Sequence, residues 1–559
     1  MASLQRRKVK GYYYWYIVES RRINGKPRPV TIAYLGSIEK ILDMAQNGVI
    51  VNNVKSFSHG AVYALWNIAK KNNILDILEA SFPKQKRDGL SRATSILLSA
   101  IYRAIYPGSK NEFAQWVKKT TLPSIVKFDP EKIDSQHFWD QMNGIDEKML
   151  SKAEDAISKS ILKKYDISPE KLALDYTNYF TYIDTNNKKS NITQRGHNKQ
   201  KRNDLRQFSL ALVTTKEFTI PLCSHVYEGN VNDISIFPKY LKQIKKRVSK
   251  YSDINNITLI YDKGSISKEN LKIIDNPDNK INYICGFSMN SCKDLYEIPK
   301  NEYIKVFVKG SEINCYRLTK QIWGKERECI LTYSSELMMG QYNGLMNTIS
   351  KKVEKLMELK KQLNNKNSRI SRKATDIDTK ITNILSGDYG KDIIEVVRTG
   401  VRKIKDINFH INEEKITSIC EKYFGKKLLI TTQKDWSTEE IIEAYLDQYN
   451  IENIFKDTKN VHHFSIRPQY HFTDPNVRVH TFCCLLGLML TSVLKKELSD
   501  KGIKIENKKL IDTLVDIRQS YLMTSNKKRK WGLDVKKVIE DMNDEEEKIW
   551  EYLKPVLES

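Results

Sequence analysis

The sequence predicts an α/β protein in which a mixed sheet occupies the middle of the chain and helical segments flank it. Three observations carry this expectation. The stretches KLALDYTNYFTYI, FSLALVTT and TIPLCSHVYEG read as consecutive strands, the last two around the short connection KEF. VNDISIFPKYLKQIKKR and SKENLKIID then read as helices, alternating with the short buried strands NITLIYDKG and INYICGF. A length of 559 residues with 40% hydrophobic residues is more than enough to bury a core.

The order β-β-β-α-β-α-β is that of a ribonuclease-H-like mixed sheet, an antiparallel meander followed by right-handed parallel crossovers. Before it, GYYYWYIVES and PVTIAYLG flank the turn signal Asn24-Gly25 and predict an N-terminal β unit over 1–58. Over 59–168, GAVYALWNIAKKNNILDILEASF and SRATSILLSAIYRAIY place apolar residues at helical spacing, with Lys and Arg on the polar faces. That segment is expected to be a helical, DNA-binding domain, an ordinary helical bundle with a solvated face being the alternative. The sheet is assigned to 169–290 and 428–498. An insertion over 291–427 interrupts it, opening with EYIKVFVKG, EINCYRLTK and ECILTYSS and continuing into the basic helix GLMNTISKKVEKLMELKKQL. STEEIIEAYLDQYNIENIFKDTK reads as one helix, started by the capping box of Ser437 and Glu440. The run VRVHTFCCLLGLMLTSVLKKEL is expected to pack on the sheet. Residues 499–559 read as a helical tail with a basic cluster, Lys527 to Lys530, and an acidic patch, Asp541 to Glu547.

Lys and Arg number 93 against 68 Asp and Glu, a net charge of +25, which makes a polyanion such as DNA or RNA the leading partner. The 29 Tyr and 17 Phe exclude wholesale disorder, because disordered chains lack large apolar groups to bury. The longest apolar candidate, Phe482 to Val493, is too short to span a bilayer. The start, MASLQRRKVKGYYYWY, has no apolar signal-peptide core. Eight Cys without a CxxC pair indicate neither a zinc cage nor a disulfide framework. A cytoplasmic protein with no membrane partner is expected.

The chemistry is expected at strand ends. Asp175 ends the apolar run LAL, and Asp262 ends ITLIY. Ionised Asp is rarely buried without a partner. Two such carboxylates on neighbouring strands repel unless a cation lies between them, and hard oxygen ligands favour Mg²⁺ or Mn²⁺. Each Asp taken singly is also compatible with a plain turn, as Asp-Lys-Gly at 262–264 suggests. At about 100° per residue, Tyr445, Gln448, Glu452 and Lys459 fall within roughly 60° of one another on a helix. Such a polar face is either solvated or aimed at the two Asp residues.

Asp175, Asp262 and Glu452 resemble the D-D-E triad of bacterial and archaeal insertion-sequence transposases, in the group with a Tyr-x2-Arg-x3-Glu-x6-Lys signature. Here the signature reads Y-LD-Q-YNI-E-NIFKDT-K, so Tyr445, Glu452 and Lys459 match while Gln448 replaces the Arg. DSQHFWDQM, RGHNKQKRNDLRQ, YEGNVND, YDKGSISKENL and HHFSIRPQYHFTDPNVRVHTF are similar too, and the likeness runs from about Gly11 to Leu498. The two Asp are 87 residues apart, and 190 residues separate Asp262 from Glu452, room for the β-rich insertion this group carries.

The resemblance implies a DNA transposase that binds terminal inverted repeats and performs two-metal strand cleavage and strand transfer, with hairpin ends as one route. Two Mg²⁺ ions, with Mn²⁺ able to substitute, would be held by Asp175, Asp262 and Glu452. Double-stranded DNA, both terminal repeats and target, is the implied partner, bound by a homodimer in a prokaryotic, nucleoid-associated setting. Tyr445, Gln448 and Lys459 would clamp phosphates. A catalytically silent DNA-binding regulator is the alternative, and a structure-specific nuclease a third reading.

The basic segment Lys188 to Arg206 adds Arg195, Lys199, Lys201, Arg202 and Arg206 as expected DNA-backbone contacts. Trp323 in QIWGKERE is a candidate for stacking on a flipped-out base, a role the resemblance assigns to an aromatic in the insertion, or else a packed strand residue. His462, His463, His471 and His480 lack a zinc-like spacing and read as loop or phosphate contacts. His137, Phe138 and Trp139 read as helix packing, and Cys483-Cys484 as core.

Overall fold

Alternating aromatic and polar residues at the start of the chain form an antiparallel sheet of β1 (Ala2–Val9), β2 (Tyr12–Ile23) and β3 (Lys26–Gly36). The computed structural model describes residues 2–23, 26–47, 51–250, 252–467, 469–525 and 533–558. The expected turn at Asn24-Gly25 lies outside the described residues, although Ile23 stands opposite Lys26 in the β2–β3 ladder. After a helix, Ile38–Asn47, the strand β4 (Val51–Ser58) leaves this unit and pairs elsewhere.

Seven α-helices follow between Gly60 and Lys164, with a minimal hairpin of β5 (Lys86–Arg87) and β6 (Leu90–Ser91) among them. Arg92–Ile105 is buried along its whole length. It crosses Asp474–Ser499 so closely that a Cβ on Gly487 would stand 2.5 Å from the Ala100 carbonyl. Asp474–Ser499 is long and apolar enough to cross a membrane by composition, yet 94% of its most apolar window is buried inside the protein. It is a core helix, and its full burial explains its lack of a polar face.

The central sheet contains β7 (Lys171–Phe180), β8 (Gln207–Thr215), β9 (Pro221–Glu228), β10 (Thr258–Tyr261), β11 (Asn282–Phe287), β12 (Ile304–Val308), β13 (Ser311–Ile322), β14 (Lys325–Tyr333) and, after β15 (Ile394–Thr399) and β16 (Asp406–Ile411), β17 (Lys426–Thr431). Its nine strands run in the order β12-β13-β14-β17-β11-β10-β7-β8-β9. β7 is antiparallel to β8 and parallel to β10, and β10 is parallel to β11. β17 joins β11 antiparallel and carries β14 on its other edge.

The insertion has the expected strands followed by helices, but its strands are part of the central sheet and do not interrupt it. Its strands extend the central sheet through β17, because Ile430 is paired with both Cys285 and Cys329. Its helical part, with β15 and β16, closes a second core around Leu356, Ile377, Ile393 and Ile407. The helices of 59–168, most of the sheet and the C-terminal helices share one continuous core instead of separate ones.

The C-terminal segment is not purely helical as expected. After Asn507–Asp516, β18 (Arg518–Ser525) lies between β19 (Leu533–Ile539) and β4, and a last helix spans Asp544–Glu558. Arg-Gln-Ser-Tyr-Leu-Met-Thr-Ser forms a strand because β4 and β19 satisfy its backbone on both edges. The Lys527 to Lys530 cluster lies outside the described residues. The acidic patch supplies the first turn of the last helix, where negative charge complements the helix dipole.

Candidate active site

In the parallel ladder of β7 and β10, Leu174 stands opposite Tyr261. One step further, Asp175 and Asp262 continue the register, and Asp262 keeps an extended backbone (φ −80°, ψ 165°) before the chain turns. Neighbouring strands lie about 4.8 Å apart, so the two carboxylates come side by side at the end of the apolar runs.

The third carboxylate arrives on a helix. The segment expected as one helix is two, Thr438–Leu446 and Tyr449–Lys459, with Glu452 in the first turn of the second. Gln448 N–H donates to the Tyr445 carbonyl at 3.1 Å, and Asn450 N–H to that of Asp447 at 2.9 Å. These tighter bonds interrupt the α ladder while the backbone stays right-handed. Buried Asp447 is held at the break by Lys216 at 2.9 Å and by Lys309, which reaches it from the turn between β12 and β13.

Burial pushes the Asp175 carboxyl up to about 6, and the negative charges of Glu452 and Asp262 push the same way. The Tyr176 N–H, donated to Asp175 Oδ1 at 2.7 Å, and the charge of Lys199 oppose them. The three carboxylates thus lie within electrostatic reach of one another. The Tyr445 hydroxyl donates to Asp262 Oδ1 at 3.3 Å, and burial with the nearby Asp262 charge raises its own pKa strongly. On the other side, Lys459 donates to Thr177 Oγ1 and is pushed down to about 8 by burial, Lys199 and Arg467. An ammonium depressed by neighbouring cations favours the arrival of an anion.

Asp262, Tyr445, Gln448 and Glu452 line an open cleft of about 950 Å³, together with Lys263, Lys309, Lys426 and Lys427. As a donor set the triad supplies hard carboxylate oxygens, which suit Mg²⁺ or Mn²⁺. Among the described residues no three His, Cys, Asp or Glu side chains are grouped so as to hold an ion. The triad is a convergence of carboxylates and not a closed cage.

Residues 4–51 match the N-terminal domain of IS1634 family transposases. A comparison with curated proteins gave no match. Among solved structures the chain is similar to the piggyBac transposase in a cryo-EM structure of its synaptic complex with hairpin DNA. That likeness has 9% identity and a TM-score of 0.35, over 81% of this chain and 76% of that one.

The expected DNA contacts divide once their partners are seen. Arg195, Lys199 and Lys201 are exposed. Lys199 Nζ donates to the Tyr176 carbonyl at 2.9 Å, beside Asp175. Arg202 forks onto Asp204 at 2.9 and 2.8 Å and lies over the Phe180 ring. Arg206 does not face solvent. Its guanidinium is buried and spends four of its five N–H donors on the carbonyls of Thr193, Asn187, Ser190 and Asp184, so it ties the loop together instead of facing a phosphate.

Gln448 is only 5% exposed, set into the helix break, while still lining the cleft. Trp323 occupies, with Gly324, the two-residue turn between β13 and β14, both with positive φ. Its half-buried indole packs edge-on against Phe287, which lines the cleft in front of it. Of the histidines, His463 pairs with Asp512 at 2.7 Å, and His471 and His480 are buried with rings 5.0 Å apart. His137 is buried between Asp88 and Ser95, and Cys483 and Cys484 are core residues.

Sequence reasoning missed Gly286, where a Cβ would stand 2.5 Å from the Tyr445 hydroxyl and 3.4 Å from Asp262 Oδ1. The signal was a glycine inside the apolar strand INYICGF, a mark of close approach by another group. Lys263, Lys309 and Lys427 were missed because a lysine in a strand or turn gives no sign of which cleft it rims.

Proposed function

We propose that the chain is a DNA transposase, with Asp175, Asp262 and Glu452 as the carboxylates that serve strand cleavage and strand transfer. The observation that carries this reading is the register of β7 and β10, whose last pair, Leu174 and Tyr261, is followed on each chain segment by an Asp, with Glu452 and Asp262 both acting on the Asp175 charge. The strand order β9-β8-β7-β10-β11 supports it, being the order of a ribonuclease-H-like sheet. The match of residues 4–51 supports it independently.

Asp175, Asp262 and Glu452 would hold the divalent ions, which supply Lewis-acid polarisation of a phosphoryl oxygen and an activated water. Burial raises the Asp175 carboxyl to about 6, and it would release its proton to solvent as a divalent cation binds. Tyr445 orients Asp262 through its hydrogen bond. Lys199 and Lys459 place two ammonium groups beside Asp175, where they offset the charge of a phosphate drawn to the site. The open cleft, rimmed by Lys263, Lys309 and Lys427, admits a strand. Its double-stranded partners are terminal repeats and target DNA, engaged as a homodimer.

The test is a terminal-repeat duplex incubated with the full chain and Mg²⁺, resolved for nick, hairpin and joined product. Asp175→Asn, Asp262→Asn and Glu452→Gln should each abolish every product while repeat binding stays within severalfold. Binding without any cleavage by the wild-type chain would instead make it a silent regulator.

A further inference from the structure

A second cavity, of about 430 Å³, lies apart from the carboxylate cleft. Arg103, at the end of one buried helix, and Lys110, at the start of the next, form one wall, and Trp139, His471 and His480 another. No Asp or Glu is among its lining residues. Arg103, His471 and His480 are 2%, 6% and 3% exposed. Among the described residues Arg103 Nε, His471 Nδ1 and His480 Nδ1 have no hydrogen-bond partner. Three unpartnered buried nitrogens lining one cavity are unusual, since buried polar groups are nearly always paired.

The other donors of Arg103 show that it is fixed and not folded out of the way. It donates to the carbonyls of Gly108 at 2.7 Å and Arg467 at 2.9 Å, leaving Nε at the wall. His480 Nε2 meets the Ile466 carbonyl at 3.0 Å, which leaves Nδ1 as its unpartnered nitrogen. Lys110 Nζ lies 5.7 Å from the Phe138 ring centre, and no carboxylate is among the groups that act on its charge. It is pushed down to about 8, chiefly by burial, with Arg103 adding to the effect.

We propose that this cavity binds a phosphate group, supplied by the end of a DNA strand or by free inorganic phosphate. A tetrahedral dianion would give Lys110 its missing counter-charge and the orphaned Arg103 nitrogen a strong acceptor. Burial, with Lys110 and Arg103, holds His471 and His480 well below the ordinary imidazole value, so each would donate to the anion only by taking up a proton along with it. Trp139, with its ring 4.8 Å from that of His471, closes the site to one side. The strand-end source rests on the transposase reading, whereas the free-phosphate source does not.

The experiment titrates inorganic phosphate into the full chain by calorimetry and compares 5′-phosphorylated with 5′-hydroxyl duplexes in a binding assay. Wild type should give saturable heat. Lys110→Gln should weaken phosphate at least tenfold with an unchanged melting temperature, and Lys110→Arg should retain binding within severalfold. Preference for the phosphorylated duplex, lost in Lys110→Gln, identifies the strand end as the source. Phosphate binding with no preference between duplexes identifies the free anion. Absence of saturable heat, or equal affinity in wild type and Lys110→Gln, overturns the proposal. Cleavage by the carboxylate triad is scored separately, so failure of one reading does not conceal the other.

Discussion

The Tyr445 hydroxyl reaches Asp262 Oδ1 at 3.3 Å through the space that Gly286 leaves by having no side chain. A methyl group there must displace the phenol, because 2.5 Å is well inside van der Waals contact. Gly286→Ala is expected to lower stability by about 1–3 kcal/mol, the usual range for overpacking. Tyr445→Phe removes the clashing oxygen, so Gly286→Ala/Tyr445→Phe should be more stable than Gly286→Ala alone. A double-mutant cycle by chemical denaturation measures this coupling. Additive effects would mean that the two residues are not in contact.

Asp175 carries the clearest pH signature. Its folded pKa of about 6 lies above the ordinary 3.8, so the native state holds the proton more tightly than the unfolded chain. That contribution is fully present below about pH 4 and is lost as pH rises to about 6, where stability falls. Asp175→Asn removes the slope across that window and should raise stability at pH 7 by about 1–3 kcal/mol, from 1.36 kcal/mol per pKa unit with a discount for partial exposure. Melting temperatures at pH 4 and pH 7, without divalent ions, check it. An unaltered slope in the variant would assign the titration to another group.

Arg206 and Lys199 should part company under mutation. Arg206→Ala leaves four loop carbonyls without their donor and is expected to destabilise the chain by about 3 kcal/mol. Lys199→Ala should leave the melting temperature nearly unchanged and make the log K versus log[salt] slope for a duplex shallower by about one unit. Equal salt slopes for wild type and Lys199→Ala would remove that residue from the DNA path.

Gln448→Arg should steepen the same slope by about one unit, since its side chain lines the cleft and a guanidinium adds one fixed charge. The substitution also forces a larger group into a site now 5% exposed, so some loss of stability is expected alongside. An unchanged slope would place residue 448 away from the backbone phosphates.

The large mixed sheet was legible because its strands are unbroken apolar runs, and the two Asp stood out because each ends such a run. Other features depend on partners distant in sequence. Nothing in Tyr-Leu-Asp-Gln-Tyr announces a helix break, since Asp447 and Gln448 remain in right-handed conformations. The break belongs with Lys216 and Lys309, which hold Asp447 from turns distant in sequence. Arg206 and Lys199 look alike as charges in one basic stretch, and only the fold decides that one is buried against four carbonyls while the other stays exposed. The run Arg518–Ser525 becomes a strand because β4 and β19 accept it, a pairing no local pattern records.

That last pairing has a temporal meaning. Arg518 Nε donates to Ser56 Oγ across 462 residues of chain. At the usual synthesis rate of about 5–20 residues per second, β4 waits roughly 20–90 s before its partner strand leaves the ribosome. Throughout that interval a nascent chain presents an open strand edge, the feature most prone to pair with a neighbour. Translational pausing or premature termination before Arg518 would therefore lengthen the aggregation-exposed period, and polysome-dense transcripts of this chain should depend on chaperones that cover strand edges.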